Sequence, residues 1–408
     1  RTGVAMRSGA GLTARGATML GAGVLWCVGA GFIGQRDLWW PGLFLILLPV
    51  LSWLLLLPNA TGLSVRRSVA PSRVSVGGQA EVEVLLAPRS RMLGGVTRVR
   101  DRVPATLGQT SWYGLPTRAG RWVQHLRYQL SPSRRGRYRI GPLERTSGDG
   151  LGLARAAQVV PAYSELLVTP RIEGLGNLRA ASGLGVAPDT SLLRTGHGST
   201  DDVLIREYHH GDDMRRIHWR STARTGELMV RREERARDPI ATIVLDNRTR
   251  SFGGHDADER FEWAISAAAS IGVHLLADGF DVSLVLADGS LVSPPRAGAD
   301  RENVLLDHLA EVDTVGNRHL DEAMATCARG EEGQLLIAVL GRVEAADSAA
   351  LTEASQRGRA CWALLVNPGG RDLTGLNALV AAGWRGGTVE AGTGVADAWR
   401  DLGSQESW

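Results

Sequence analysis

Residues Ala17–Leu57 read ATMLGAGVLWCVGAGFIGQRDLWWPGLFLILLPVLSWLLLL, and this stretch decides the architecture. Ala17–Gly34 carries no charge over 18 residues, and Trp39–Leu57 carries none over 19. A helix rising ~1.5 Å per residue needs ~20 such residues to cross the hydrocarbon of a bilayer. Both segments are therefore spanning candidates. A cleaved signal peptide is excluded for the first, because its apolar run is too long and a second run follows after only Gln35–Leu38. The first span is rich in small residues (Gly21, Ala22, Gly23, Gly29, Ala30, Gly31), and the second is rich in Leu with Pro41 and Pro49. Small residues let two backbones approach, so the spans are expected to pack as a hairpin. Trp26, Trp39, Trp40 and Trp53 suit the membrane–water interface.

Arginine flanks the hairpin. Arg1, Arg7 and Arg15 precede it and Arg66, Arg67 and Arg73 follow, whereas the connection holds only Arg36 beside Asp37. The positive-inside rule then puts both flanks, and the body after them, in the cytoplasm. That body is electrically divided. Ser64–Arg145 has 16 Arg against 4 acids, and Pro239–Trp408 has 13 Arg against 25 acids, although the whole chain is only +3. Opposite fields of this size make orientation matter. All 46 basic residues are Arg. Without lysine, a Walker A loop, Schiff-base chemistry and the strand lysine of kinases are excluded. The three cysteines, Cys27, Cys327 and Cys361, form no C-x-x-C and read as small buried hydrophobes.

Past a 1–62 anchor segment, residues 63–171 alternate in short runs broken by Gly and Pro. Val74–Val76, Ala80–Leu86, Val96–Val103, Trp122–Leu130 and Arg137–Ile140 read as strands of a small β-sandwich. Its basic charge suits an anionic leaflet, a second way of engaging the lipid bilayer. Nucleic acid is the rival partner, but Trp112, Tyr113, Trp122, Tyr128 and Tyr138 read as core aromatics, so none is expected.

Residues 172–238 hold a linker and the most distinctive stretch, Thr195–Glu234. Val203–Tyr208 and Leu228–Arg231 read as strands. Between them a helix is predicted from Asp213 to about Arg224, capped by Asp212 and stopped by Gly226, with Ile217 and Trp219 inward. Ten Arg, eight acids and four His lie between Arg194 and Arg237. A mix so nearly balanced suits either an internal ion-pair network or a partner surface, but not a nucleic-acid patch. Arg206, Glu207, Tyr208, Gly211, Asp212, Asp213, Arg215, Arg216, Trp219, Arg220 and Arg224 are the candidate interaction residues.

R-E-Y at 206–208, G-D-D at 211–213, R-R-I-H-W at 215–219 and S-T-A-R-T-G at 221–226 resemble the signature of the bacterial "domain of unknown function 58" proteins. V-R-D-R-V-P at 99–104, R-R-G-R-Y-R-I-G-P-L at 134–143 and D-G-L-G-L at 149–153 fit the same pattern, the last departing from the commoner D-P-F-G-L. The resemblance implies a multi-pass protein of the bacterial inner membrane, often encoded beside a MoxR-type AAA+ ATPase. It implies no reaction.

Residues 239–408 alternate strand and helix. Ala241–Leu245, Asp281–Leu286, Leu335–Leu340 and Cys361–Val366 read as buried strands, with helices at Phe261–Ala277, Ala345–Gln356 and Leu373–Ala382. This predicts an α/β domain with a mostly parallel sheet, and its layout resembles a von Willebrand factor A domain. Ligands of such sheets bind at the carboxyl ends of strands, here Asp246 and the loop after it. Metal-binding members of that fold carry D-x-S-x-S, suited to a hard dication. This chain has Asp246-Asn247-Arg248-Thr249-Arg250, with Arg at both serine positions, and Leu340-Gly341-Arg342 where a second carboxylate would stand. No metal and no cofactor are expected; Asp246 is expected to pair with Arg248 or Arg250, leaving Asp246, Thr249 and Ser251 as a degenerate site. G-x-S-x-G, H-E-x-x-H and G-x-G-x-x-G are all absent. The expectation is a non-catalytic, membrane-anchored adaptor that engages a protein such as a MoxR-type ATPase. A metal-dependent binding protein or enzyme of the cell envelope is the alternative.

Overall fold

The computed structural model describes residues 9–57, 63–88, 96–115, 122–176, 204–208, 214, 217–232, 239–296, 298–316, 319–329, 335–356, 360–366, 374–389 and 392–404. The chain forms two compact units, residues 1–171 with 309–311, and residues 172–308 with 312–408.

The first unit begins with a strand that sequence reading missed, β1 (Gly9–Leu12), followed by helices α1 (Ala14–Ile33) and α2 (Trp39–Leu56). Both helices are long and apolar enough to cross a membrane. Only Gly16, Gly23 and Ala30 of α1 are buried, while Leu25, Phe32, Trp40 and Phe44 are each more than 60% exposed. Their outer faces are thus apolar and, among the described residues, uncovered. The helices meet through their smallest residues. A Cβ on Gly23 would stand 2.9 Å from Leu45 Cβ, and one on Gly42 would stand 2.5 Å from Cys27 Sγ. Gly21 and Gly29 face open space, so only part of the small-residue set makes the contact.

Ten strands complete this unit: β2 (Leu63–Ala70), β3 (Arg73–Ser75), β4 (Ala80–Pro88), β5 (Val96–Asp101), β6 (Tyr113–Leu115), β7 (Gln124–Leu130), β8 (Gly136–Ile140), β9 (Leu143–Gly148), β10 (Ala154–Val160) and β11 (Ser164–Thr169). They form sheets ordered β1-β10-β9-β5-β6, β2-β4-β7 and β3-β11-β8 around one core that includes Val82, Val84, Leu86, Val99, Leu126 and Ile140. Burial alternates along β5, with Thr97, Val99 and Asp101 inward and Val96 and Arg98 outward, the period-two pattern of a half-buried strand.

Arg67 on β2 runs through the interior. It donates from Nε to Asp101 Oδ2 at 2.8 Å and from Nη1 to the carbonyls of Ala162 (2.8 Å) and Ile140 (3.1 Å). Tyr128 donates its hydroxyl to the same carboxylate. Burial first, then the Asp101 charge and hydrogen bond, push the Tyr128 phenol far above its ordinary value despite opposition from Arg67.

The two apolar helices are tied to this unit rather than standing apart from it. β1 pairs antiparallel with β10, from Gly9↔Ala157 to Leu12↔Ala154. Thr13 caps α1, accepting from Gly16 N at 3.2 Å, and its own hydroxyl donates to Gly152 O at 2.7 Å. The D-G-L-G-L stretch supplies that acceptor. Asp149 accepts from Ala154 N at 2.8 Å and Leu151 N at 3.3 Å, closing the loop. A Cβ on Gly16 would stand 2.1 Å from Leu153 O, so no side chain is tolerated where α1 meets this loop.

In the second unit, β12 (Leu204–Glu207) pairs antiparallel with β13 (Met229–Arg232), and α3 (Trp219–Thr225) lies between them in sequence. The α/β domain follows with β14 (Ile240–Leu245), α4 (Ala257–Ala277), β15 (Asp281–Leu286), β16 (Leu291–Val292), α5 (Arg301–Glu311), α6 (Asp321–Ala328), β17 (Leu335–Leu340), α7 (Ala345–Ser355), β18 (Ala360–Val366), α8 (Thr374–Ala381), β19 (Arg385–Val389) and α9 (Val395–Ser404). Its six-stranded sheet is ordered β16-β15-β14-β17-β18-β19; every pair is parallel except β15–β16. β17 is buried at all six positions, as a strand covered on both faces must be.

Candidate functional site

β14 ends at Leu245, so Asp246 begins the loop at the carboxyl end of a central strand. Asp246, Arg248 and Asp347 are each no more than 1% exposed. Arg248 grips the first carboxylate with two parallel donors, Nε to Oδ1 and Nη2 to Oδ2, both at 2.9 Å. Its Nη1 donates to Oδ1 (2.9 Å) and Oδ2 (3.0 Å) of Asp347. Each carboxylate also takes backbone donors: Arg248 N and Gly341 N reach Asp246, while Leu320 N and Glu344 N reach Asp347. Burial works against the guanidinium charge, but the hydrogen bonds and charges of Asp246 and then Asp347 outweigh it and raise Arg248 above its ordinary value.

One sequence expectation is met here and one is corrected. Of the two candidates for Asp246, Arg248 makes the pair, whereas Arg250 reaches Glu344 at the surface. The second carboxylate is not missing: it comes from Asp347, which also closes a capping box with Glu344 at the start of α7. The remaining degenerate-site residues stand aside. Thr249 donates its hydroxyl to Val315 O at 3.1 Å, and the buried Ser251 hydroxyl has no hydrogen-bond partner among the described residues. Among the described residues no group of three His, Cys, Asp or Glu side chains assembles to hold a metal. The guanidinium fills the space between the two carboxylates, so this donor set does not fit a dication.

The signature segment differs from its predicted form. α3 starts at Trp219 rather than Asp213, and its N-cap is His218, whose Nδ1 accepts from Ser221 N at 3.3 Å. Ile217 is held extended by a bridge to Val230, and His218 N donates to Met229 O at 2.8 Å, which keeps these two residues out of the helix. Gly226 ends the helix in the left-handed conformation, φ 80°. Ile217 is buried, but Trp219 is 68% exposed, the reverse of the inward position expected for it. Arg220 and Arg224 are exposed on the same helix, one turn apart, and Tyr208 is half-buried. Arg206 and Glu207 lie on β12; Gly211, Asp212, Asp213, Arg215 and Arg216 lie outside the described residues.

Among solved structures, a CARDB domain from Pyrococcus furiosus, solved with di-metal ions, is 21% identical over 26% of this chain and 86% of its own, with a TM-score of 0.18. A von Willebrand factor type A protein from Catenulispora acidiphila is 12% identical over 41% of this chain and 42% of its own, with a TM-score of 0.31. No curated protein matches the chain. Residues 204–351 match the family described as "Protein of unknown function DUF58", a span that takes in both the signature segment and the Asp246–Arg248–Asp347 cluster.

Proposed function

We propose that this protein is a non-catalytic, membrane-anchored adaptor whose body lies in the cytoplasm and engages a protein partner. The observation that carries the reading is Arg248. At the end of the sheet where such folds take ligands, a cation belonging to the chain already satisfies both carboxylates. An exchangeable metal has no role left there, and the His319 imidazole, 3.9 Å from Asp347, meets a carboxylate already held by Arg248. The carboxyl end of the sheet is thus a von Willebrand factor A-like frame kept for shape.

The β1–β10 pairing supports the hairpin. It joins the residue run before α1 to the domain after α2, which requires both flanks on one side of the bilayer. The arginines of both flanks then favour the cytoplasmic side of the inner membrane. The partner surface is best placed on α3, where Trp219, Arg220 and Arg224 are exposed together; Trp and Arg dominate the energetics of protein interfaces. The family resemblance implies a MoxR-type AAA+ ATPase as the partner class.

Crosslinking in native membranes, with nucleotide present, tests this. The wild-type chain should recover an AAA+ protein, and Trp219→Ala combined with Arg220→Ala should lose it. Recovery of no AAA+ protein by either chain would sink the partner assignment. Tight Mg²⁺ binding by the wild-type chain in calorimetry, abolished by Asp246→Ala, would replace the adaptor with a metal-dependent protein.

A further inference from the structure

The sheet β1-β10-β9-β5-β6 has one face turned away from the core of its unit, and that face is floored by residues with almost no side chain. Val96 on β5 stands opposite Gly148 on β9, Gly148 stands opposite Arg155 on β10, and Arg155 stands opposite Gly11 on β1. One row along, Arg98 lies opposite Thr146 and Gly114. Glycines at these positions leave a hollow with long arginines rising from it. The result is an open cavity of about 430 Å³, lined among others by Thr13, Arg98, Trp112, Thr146 and Arg155.

The charge in this hollow is uncompensated. Arg100 next to it is used up, bound to Glu144 at 2.6 Å and lying 4.7 Å from the Trp112 ring centroid. Arg98 and Arg155 have no ion-pair partner among the described residues. A third cation, Arg15, comes within 4.0 Å of where a Cβ on Gly152, another lining residue, would stand. Among the described residues no acid lines the cavity. The Thr146 hydroxyl is buried at its floor without a hydrogen-bond partner among the described residues. Free guanidinium groups and an unsatisfied hydroxyl together fit phosphate oxygens, which guanidinium binds through paired donors.

The position of the cavity chooses among phosphates. Thr13, in its wall, is the cap of α1, so the cavity lies one residue before the first apolar helix begins. The Trp53 indole of α2 donates to Ala10 O of β1 at 3.2 Å, bringing the second helix to the same strand. Exposed Leu12, Val96 and Leu151 are neighbours of the lining residues in sequence or belong to them. Basic groups with apolar neighbours, at the depth where a span enters the bilayer, match a lipid headgroup and its glycerol.

We infer that this cavity binds the phosphate of an anionic phospholipid, held by Arg98 and Arg155 over the Thr146 hydroxyl. The inference rests on the membrane-anchor reading, and flotation tests that reading separately. The full chain, and an Arg98→Gln/Arg155→Gln variant, are first floated with vesicles of phosphatidylcholine alone. If the wild type fails to float, the anchor reading falls and this site falls with it. Both should float, because neither arginine lies in a span.

Bound lipid is then counted by native mass spectrometry of detergent-extracted protein supplied with phosphatidylglycerol or phosphatidylcholine. The wild type should retain phosphatidylglycerol, and the variant should bind it about tenfold more weakly at an unchanged melting temperature. Equal retention by both proteins would overturn the site. Displacement of the lipid by inorganic phosphate at comparable concentration would overturn the lipid assignment and leave a free-anion site. A selective, arginine-dependent phosphatidylglycerol count that inorganic phosphate does not erase would establish it.

Discussion

Two buried arginines, Arg67 in the sandwich and Arg248 in the α/β domain, have side chains only 1% exposed, yet they are used differently. Arg67 meets one carboxylate, Asp101, and spends its remaining donors on two neutral carbonyls, while Tyr128 completes the acceptor. Its charges cancel and the group is closed. Arg248 meets two carboxylates, with the His319 imidazole 3.9 Å from the second, so acids outnumber the guanidinium two to one. The first arrangement pins three sheets through buried polar bonds. The second holds a loop, a strand end and a helix start together in the way a bound cation would. Burial and ionisation are alike; the partner set separates a structural pin from a built-in counter-ion.

The comparison breaks most visibly at Arg248. Arg248→Met should leave two buried carboxylates facing each other and cost about 3–5 kcal/mol or more, read as lost hydrogen-exchange protection in β14 and β17. Arg248→Ser sharpens the point. If the guanidinium stands in for a cation, Mg²⁺ should raise the melting temperature of Arg248→Ser and leave the wild type unmoved. A wild type that responds equally would show that the arginine does not occupy the cation position.

Arg67→Met should cost less, about 3 kcal/mol, because only one charge is stranded and Tyr128 still donates to Asp101. The loss should be confined to exchange protection of β2, β4 and β7. A larger loss here than at Arg248 would mean that net charge does not rank the two clusters.

The two long apolar helices were legible because 18 or 19 uncharged residues in a row exceed an ordinary strand, and β14 and β17 were legible because unbroken branched runs suit a doubly covered strand. β1 was not. Gly-Ala-Gly-Leu has no strand preference of its own and takes its conformation from the free edge of β10. β19, with Gly386 and Gly387, is equally silent. Asp347 was hidden by distance, lying 99 residues from Arg248, although the Glu344-x-x-Asp347 spacing at a helix start marked it as a buried acceptor. Trp219 misled because an aromatic beside Ile217 looks like core, whereas the extended conformation of Ile217 sends its successor outward.

Tyr128→Phe removes only a neutral donor from the sandwich cluster and should cost about 1–2 kcal/mol. The phenol also gives the cluster a pH signature. Its folded value is raised above the unfolded value near 10, so its contribution is complete below about pH 10 and declines as pH rises beyond that. Wild-type sandwich stability should therefore fall above pH 10 more steeply than that of Tyr128→Phe. Parallel curves would show that the phenol does not report on the Asp101 charge.

The smallest effect belongs to Arg250, two residues from Arg248 but on the outside. Its partner Glu344 shares a helix start with Asp347, yet the two side chains are 44% and 38% exposed. Water already solvates both ions, and salt screens their attraction, so Arg250→Gln should change stability by less than about 1 kcal/mol and lose even that at high salt. Arg248→Met should be nearly indifferent to salt, because its stranded charges are out of reach of ions. Unfolding both variants across a salt series separates a buried counter-ion from a surface pair of the same chemical composition; a salt-sensitive Arg248→Met would mean that the cluster opens to solvent once its cation is gone.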